Sequence, residues 1–184
     1  MSHPIGAEAV LEFWFSEPAR SHWFRSTAGL DAAIRARFFD TWRAGAAGQL
    51  DAWAQTARGA VALVIVLDQL PLNMFRGRPE SFATEAAARV VARDAIARGY
   101  DAALADEHKA FLYMPFMHSE DPADQDLSVQ LYEKAGLADN LKFARHHRDL
   151  VQRFGRFPHR NAILGRASTP AEQTYLASEE AFHG

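Results

Sequence analysis

Residues 60–67 read AVALVIVL, and this run constrains the fold more than any other stretch of the chain. A segment apolar on every side has to be wrapped by other elements, because no face of it gains from contact with water. It is far short of the roughly 20 apolar residues that a bilayer span needs. A buried strand is the alternative, but the neighbouring segments repeat with a helical period. Ala60–Leu67 is therefore expected to be a central buried helix. Pro71 is expected to end it, since proline lacks an N–H and its ring collides with the preceding turn.

The rest of the chain follows the same period. In DAAIRARFFDTW, Ile34, Phe38 and Trp42 recur every four residues on one stripe, with Asp31 placed as a helix N-cap. Thr84 is placed to cap EAAARVVARDAIAR, which stops at Gly99. Asp106 is placed to cap EHKAFLYMPFMHS, interrupted by Pro115. Asp121-Pro122 is a cap followed by a proline in the first helical position, and that helix ends at Gly136. The next begins near Asp139 and closes at Gly155. STPAE carries Thr169, Pro170 and Glu172 in the spacing of a capping box. No segment alternates with period two. The expected fold is all-α: about eight helices in antiparallel hairpins, forming one domain over residues 1–184. Two longer loops, at 71–82 and 156–168, are natural places for function.

Composition narrows the chemistry. The chain is 48% hydrophobic and 23% charged, so it can build a core, and it contains no cysteine, which removes disulfides, thiolate nucleophiles and zinc–thiolate sites. The N-terminal stretch has no basic segment followed by a long apolar run, so no signal peptide is expected, and a soluble cytoplasmic protein is the plain expectation. Net charge is −3, which disfavours nucleic acid as a partner. Charge is nevertheless uneven: six arginines face one acid, Asp149, between Arg145 and Arg166.

Three motifs place polar residues where apolar ones belong. In VIVLDQLPLNMFRG, Asp68 and Gln69 follow the apolar run directly. A buried carboxylate needs a partner, and Arg76 or an arginine of the last motif is expected to supply it. In FMHSEDPADQ, His118 and Glu120 stand at a helix junction, where a carboxylate beside an imidazole suits proton transfer. Their spacing matches no defined metal motif, and neither a metal nor a cofactor is expected. In FARHHRDLVQRFGRFPHRN, the stripe Phe143, His147, Leu150, Val151 and Phe154 turns His147 towards the core. Gly155 ends the helix, and Pro158 stiffens a turn that presents His159, Arg160 and Asn161 between the anchors Phe154 and Phe157. Arginine forks such as those of Arg156 and Arg160 suit carboxylate or phosphate.

LDQLPLNMFRG, FMHSEDPADQ, HRDLVQRFGRFPHRNAILGR and STPAE, with EFWF near the start and Trp23-Phe24, together resemble the bacterial DUF924 family, a domain of unknown function, over nearly the whole chain. The resemblance implies an all-α fold like that of tetratricopeptide-repeat superhelices, without the repeat's sequence signature. It implies no activity. Leu72 stands where that family often has an arginine, so an anion contact from that position is not carried over.

Two functions follow as expectations. One is a compact pocket for a small anionic ligand. Asp68, Asn73, Arg76, Arg156, Arg160 and Asn161 would bind it, and His118, Glu120, His147 and His159 would handle protons. The other is a helical scaffold that binds a peptide or protein without catalysis. Clustering of the polar residues in three short motifs favours the pocket, and the three motifs are expected to meet around it.

Overall fold

The computed structural model describes residues 4–182, and every described regular element is helical. The helices are α1 (Ala7–Trp14), α2 (Ala28–Ala46), α3 (Ala57–Met74), α4 (Glu85–Ala97), α5 (Asp106–Met117), α6 (Pro122–Ala135), α7 (Ala138–Phe154) and α8 (Pro170–Leu176). Short 3₁₀ turns join several of them. The chain divides into two compact units, residues 1–76 with 80–115, and residues 77–79 with 116–184.

The first unit is built around α3. Residues 60–67 are all buried, as an all-round apolar helix requires. By length and composition alone, Ala57–Met74 would suffice to cross a membrane, but most of it is buried inside the protein as a core helix. Leu63 and Leu67 pack with Ala44 and Leu50 of the α2 side and with Ala88 of α4. Gly59 allows the helix start to sit close to the preceding turn. A Cβ there would run into the carbonyl oxygen of Trp53.

Pro71 does not end this helix. Ile65–Gln69 forms a π-turn, in which the Leu70 N–H reaches back five residues to the Ile65 carbonyl, and an α-turn follows over Leu70–Met74. Widening the turn makes room for the proline ring. The missing N–H leaves the Leu67 carbonyl without its helical donor, and the Thr84 hydroxyl donates to it at 2.5 Å. Thr84 occupies the N-cap position of α4 as expected, but its hydroxyl caps no α4 backbone group. It serves α3 and accepts from Trp42 Nε1 at 3.1 Å. Asp31 is not a cap either. Thr27 caps α2 through the Leu30 N–H, and Asp31 lies one turn inside the helix, free for other contacts.

The second unit is a hairpin of α6 and α7, which pack on each other, with the loop after α7 and the short α8. Asp121 accepts from the Ala123 N–H at 2.8 Å, and Pro122 starts α6. Gly136 ends it in the left-handed conformation, with Leu137 N–H bonded to Tyr132 O and Gly136 N–H to Glu133 O, the two bonds that close a Schellman turn. His147, Leu150 and Val151 are buried as expected, but Phe143 is 53% exposed and leaves the stripe. Leu150, Val151, Phe157 and Tyr175 form the core of this unit. The capping box at α8 is complete: Thr169 accepts from Glu172 N–H and Glu172 from Thr169 N–H.

Candidate functional site

In the second unit α7 stops at Gly155, where φ is +71° and the N–H returns to Val151 O at 2.8 Å. Phe157 drops into the core, and Pro158–Arg160 makes a single 3₁₀ turn. Ion pairs clamp the loop at two points. Glu120, from the helix junction, accepts from the Phe157 N–H at 2.8 Å and from both guanidinium ends of Arg166 at 2.7 and 2.9 Å. Arg166 also donates to Asn161 Oδ1 at 2.9 Å, and Asn161 donates to the Ser168 hydroxyl. At the second point, Arg156 forms a two-pronged pair with Glu172 at 2.7 and 2.9 Å and donates to Ala167 O.

These contacts set the protonation states. Hydrogen bonding from Arg156, with help from the Thr169 N–H, brings the Glu172 carboxyl down to about 2 despite its burial. Burial alone would raise Glu120, but the bonds from Arg166 and Phe157 outweigh it and hold the carboxyl below its usual range. Both acids are ionised at neutral pH.

The histidines behave differently. His147 is buried, which pushes its pKa down to about 3, although the bond from its Nδ1 to the Phe143 carbonyl works the other way. A carbonyl only accepts, so Nδ1 carries the proton and Nε2 the lone pair. His159 is pushed down to about 4, first by burial and then by Arg160. Its Nδ1 is buried and has no hydrogen-bond partner. His118 is half-buried, and a proton on it disfavours protonation of both rings. The Arg160 guanidinium is buried and sits 4.8 Å from the centre of the Phe157 ring. Six sequence candidates, His118, Glu120, His147, His159, Arg160 and Asn161, thus lie in this unit with Arg156.

Asp68, Asn73 and Arg76 belong to the first unit. Asp68 is fully buried and accepts from the Gln69 side-chain amide at 2.6 Å, and the same amide touches Met114 sulfur at 3.2 Å. The Glu85 carboxylate, also buried, has an oxygen within 4.8 Å of one on Asp68. Two carboxylates at that separation are tolerated inside a protein only with a proton or a positive group beside them. Arg76 is not spent on Asp68 as expected. It pairs with Asp31 through Nε at 2.7 Å, while Asn73 and Ser26 donate to the same carboxylate at 2.8 and 2.7 Å. Burial would raise Asp31, but these donors together bring it below its ordinary value.

The partners missed in the sequence were Asp31, Arg166 and Glu172. Each had an ordinary local explanation, a cap or the end of a basic stretch, and each meets its ion-pair partner across 16 to 46 residues of chain that periodicity cannot fold.

The family model for DUF924, a bacterial protein of unknown function, matches residues 10–180. The chain belongs to the DUF924 family. A solved structure of a protein of unknown function from Agrobacterium tumefaciens, ATU0120, is 42% identical over 93% of this chain and 96% of its own, with a TM-score of 0.88. Comparison with curated proteins gives no match. This DUF924 chain thus shares its fold with ATU0120, and neither the family's description nor that structure names a reaction.

Proposed function

We propose that the second unit binds a small anionic molecule, a carboxylate or a phosphate, beside His159 and Arg160. The observation that carries this reading is the buried, unpartnered Nδ1 of His159. A polar atom left in this way inside a protein costs about 1–3 kcal/mol, and a ligand's hydrogen-bonding oxygen removes the cost. The surrounding charge supports an anion: Arg160, His118 and Arg166 disfavour protonation of His159, with Glu120 opposing them. Arg156 and Arg166 have their forks on Glu172 and Glu120, so in this reading they hold the loop, and the ligand's hydrogen bond goes to His159 Nδ1 in the positive surroundings of Arg160. Proton transfer, if the ligand reacts, would fall to His118 and His159. His147 has one nitrogen committed and a buried ring, which suits it to the wall of the site. Asp68, Asn73 and Arg76 play no part in the reading.

The test is thermal. Phosphate should raise the melting temperature more than chloride at matched ionic strength, by roughly 4 °C near saturation, because ligand binding stabilises the native state by mass action. Phosphate also stabilises proteins generally, so Arg160→Ala is the control. It should keep the general response and lose the specific one. Identical responses would move the helical scaffold ahead. That second reading draws on one observation, the exposed aromatic rings of Phe24 (79%) and Phe143 (53%), which a peptide or protein partner would cover.

A further inference from the structure

Phe182 lies beyond α8, in a segment without helical structure. Its N–H donates to the Tyr175 hydroxyl at 2.8 Å, and Ala181 N–H bonds to Ser178 O at 3.2 Å. From this light mooring the Phe182 ring reaches into the histidine cluster. Its centre lies 4.8 Å from that of His147 at 67°, 5.1 Å from His159 at 82° and 6.0 Å from His146 at 67°. Phe157 completes the cluster, 5.4 Å from His147 and 5.6 Å from His159. Three imidazoles presented at steep angles to one benzyl ring form a slot cut for a flat aromatic group, since rings prefer edge-to-face contacts at these separations.

We infer that this slot is a ring-binding subsite which Phe182 fills from within, and that the anionic ligand is an aromatic acid whose ring displaces it. The inference rests on the anion reading above and narrows its substrate class. Four facts on the structure bring a ring and an acid together here. His159 belongs to both: its ring walls the slot, and its Nδ1 is the unpartnered buried atom. Arg160, which follows it, lies over Phe157, the ring that packs against two of the slot's imidazoles. His147 and His159 have their protonation suppressed, so the walls are neutral faces and edges suited to an aryl group. Phe182 itself is half-buried and packs against the core of the unit without being one of its fully buried members. An internal occupant lowers the apparent affinity of an external one by the fraction of time that the slot stands open.

The experiment titrates benzoate, cyclohexanecarboxylate and acetate into the wild type, Phe182→Ala and Tyr175→Phe, reading the ring resonances of His147 and His159. Benzoate should bind Phe182→Ala about tenfold more tightly than wild type, shifting both histidines. Tyr175→Phe keeps the buried ring and removes only the mooring hydroxyl, so it should gain about threefold. Acetate should gain nothing, and cyclohexanecarboxylate less than benzoate. Unchanged or weaker benzoate binding in Tyr175→Phe overturns the inference even if Phe182→Ala fails to fold. An equal gain for acetate and benzoate overturns it as well, because the slot would then read charge alone. If phosphate still shows its Arg160-dependent stabilisation in that case, the ring slot falls and the anion reading survives. Loss of the phosphate response defeats the anion reading itself.

Discussion

Two places where the helical backbone loses its regular hydrogen bonds solve the same problem by different chemistry. At residues 65–71 a proline removes a backbone donor from a fully buried helix, and the repair is neutral: a widened turn, and a hydroxyl from Thr84 on the Leu67 carbonyl. At residues 155–168 the helix has ended, the loop is longer, and the repair is ionic, through Glu120 with Arg166 and Glu172 with Arg156. The first lies in a fully buried stretch, where the Leu67 carbonyl takes an uncharged hydroxyl as its donor. The second is partly exposed, where charged forks are cheap and hold a long loop firmly. Arginine density, which marked the second place in the sequence as a ligand grip, is therefore mostly a measure of how much loop there is to hold. In the proposed reading, the atom offered to a ligand is an imidazole nitrogen, Nδ1 of His159.

The largest effect that separates the two places is pH. His147 and His159 have folded pKa values of about 3 and about 4, against an ordinary 6.5. Between those values and 6.5 the unfolded chain binds protons that the folded chain refuses, so stability falls as pH drops below about 6.5. By pH 5 each imidazole costs about 2 kcal/mol, about 4 kcal/mol together. Glu172, at about 2, and Glu120 add their share only below their ordinary 4.5, where the unfolded acids take up protons first. The neutral repair at Thr84 contributes nothing to this slope. Urea unfolding at pH 7 and pH 5, with the histidine ring resonances followed in parallel, measures it. His108 of the first unit shifts in the same direction, and the resonances separate its part. A stability that is flat over this range would mean that the imidazoles accept protons without penalty, and the comparison would fail.

Next in size is Thr84→Val, which keeps the shape and removes the hydroxyl. The Leu67 carbonyl then loses its donor in a fully buried setting, and Trp42 Nε1 loses its acceptor. The expected loss is about 2 kcal/mol, equal at pH 7 and pH 5. A loss that grew on acidification would show that the two places are not chemically distinct. A loss under about 0.5 kcal/mol, typical of an unremarkable surface position, would show that water already satisfies the carbonyl.

What the sequence made legible follows from the range of the forces involved. Local steric and capping rules are written in neighbouring residues, so Asp121-Pro122, Gly136, Gly155 and the Thr169–Glu172 box were readable in advance, as was the burial of 60–67 and of His147. The π-turn was not, because proline at position 71 breaks a helix by every local rule, and Thr84, which rescues it, lies 13 residues away. The site divides along the same line. Residues such as Glu120, His159 and Arg160 stood out as polar groups between apolar anchors. The identity of each arginine's partner did not, since Coulomb attraction at 3 Å says nothing about separation along the chain. Asp31 shows this most clearly: its position suggested a cap, and its work is to gather Arg76, Asn73 and Ser26.

The smallest effect tests whether the loop's direction is set by its hinge or by its clamps. Gly155 adopts φ of +71° with open space where a Cβ would go. Alanine there meets no neighbour, so its cost is the left-handed backbone alone, about 1 kcal/mol after the lower entropy of the unfolded alanine chain is counted. Asparagine tolerates this region better and should cost less than alanine. If the ion pairs of Glu120 and Glu172 dictate the path, both variants keep the Phe157 N–H on position 120, and the penalty is the same with and without Glu120→Gln, which takes the charge from one clamp. If the hinge dictates it, weakening that clamp makes the loop depend on position 155, and Gly155→Ala becomes more costly in the Glu120→Gln background. The neutral repair at residues 65–71 needs no such hinge, since its residues stay right-handed throughout. A penalty that ignores Glu120→Gln therefore assigns the loop to its ionic clamps, and a penalty that grows with it assigns the loop to the glycine.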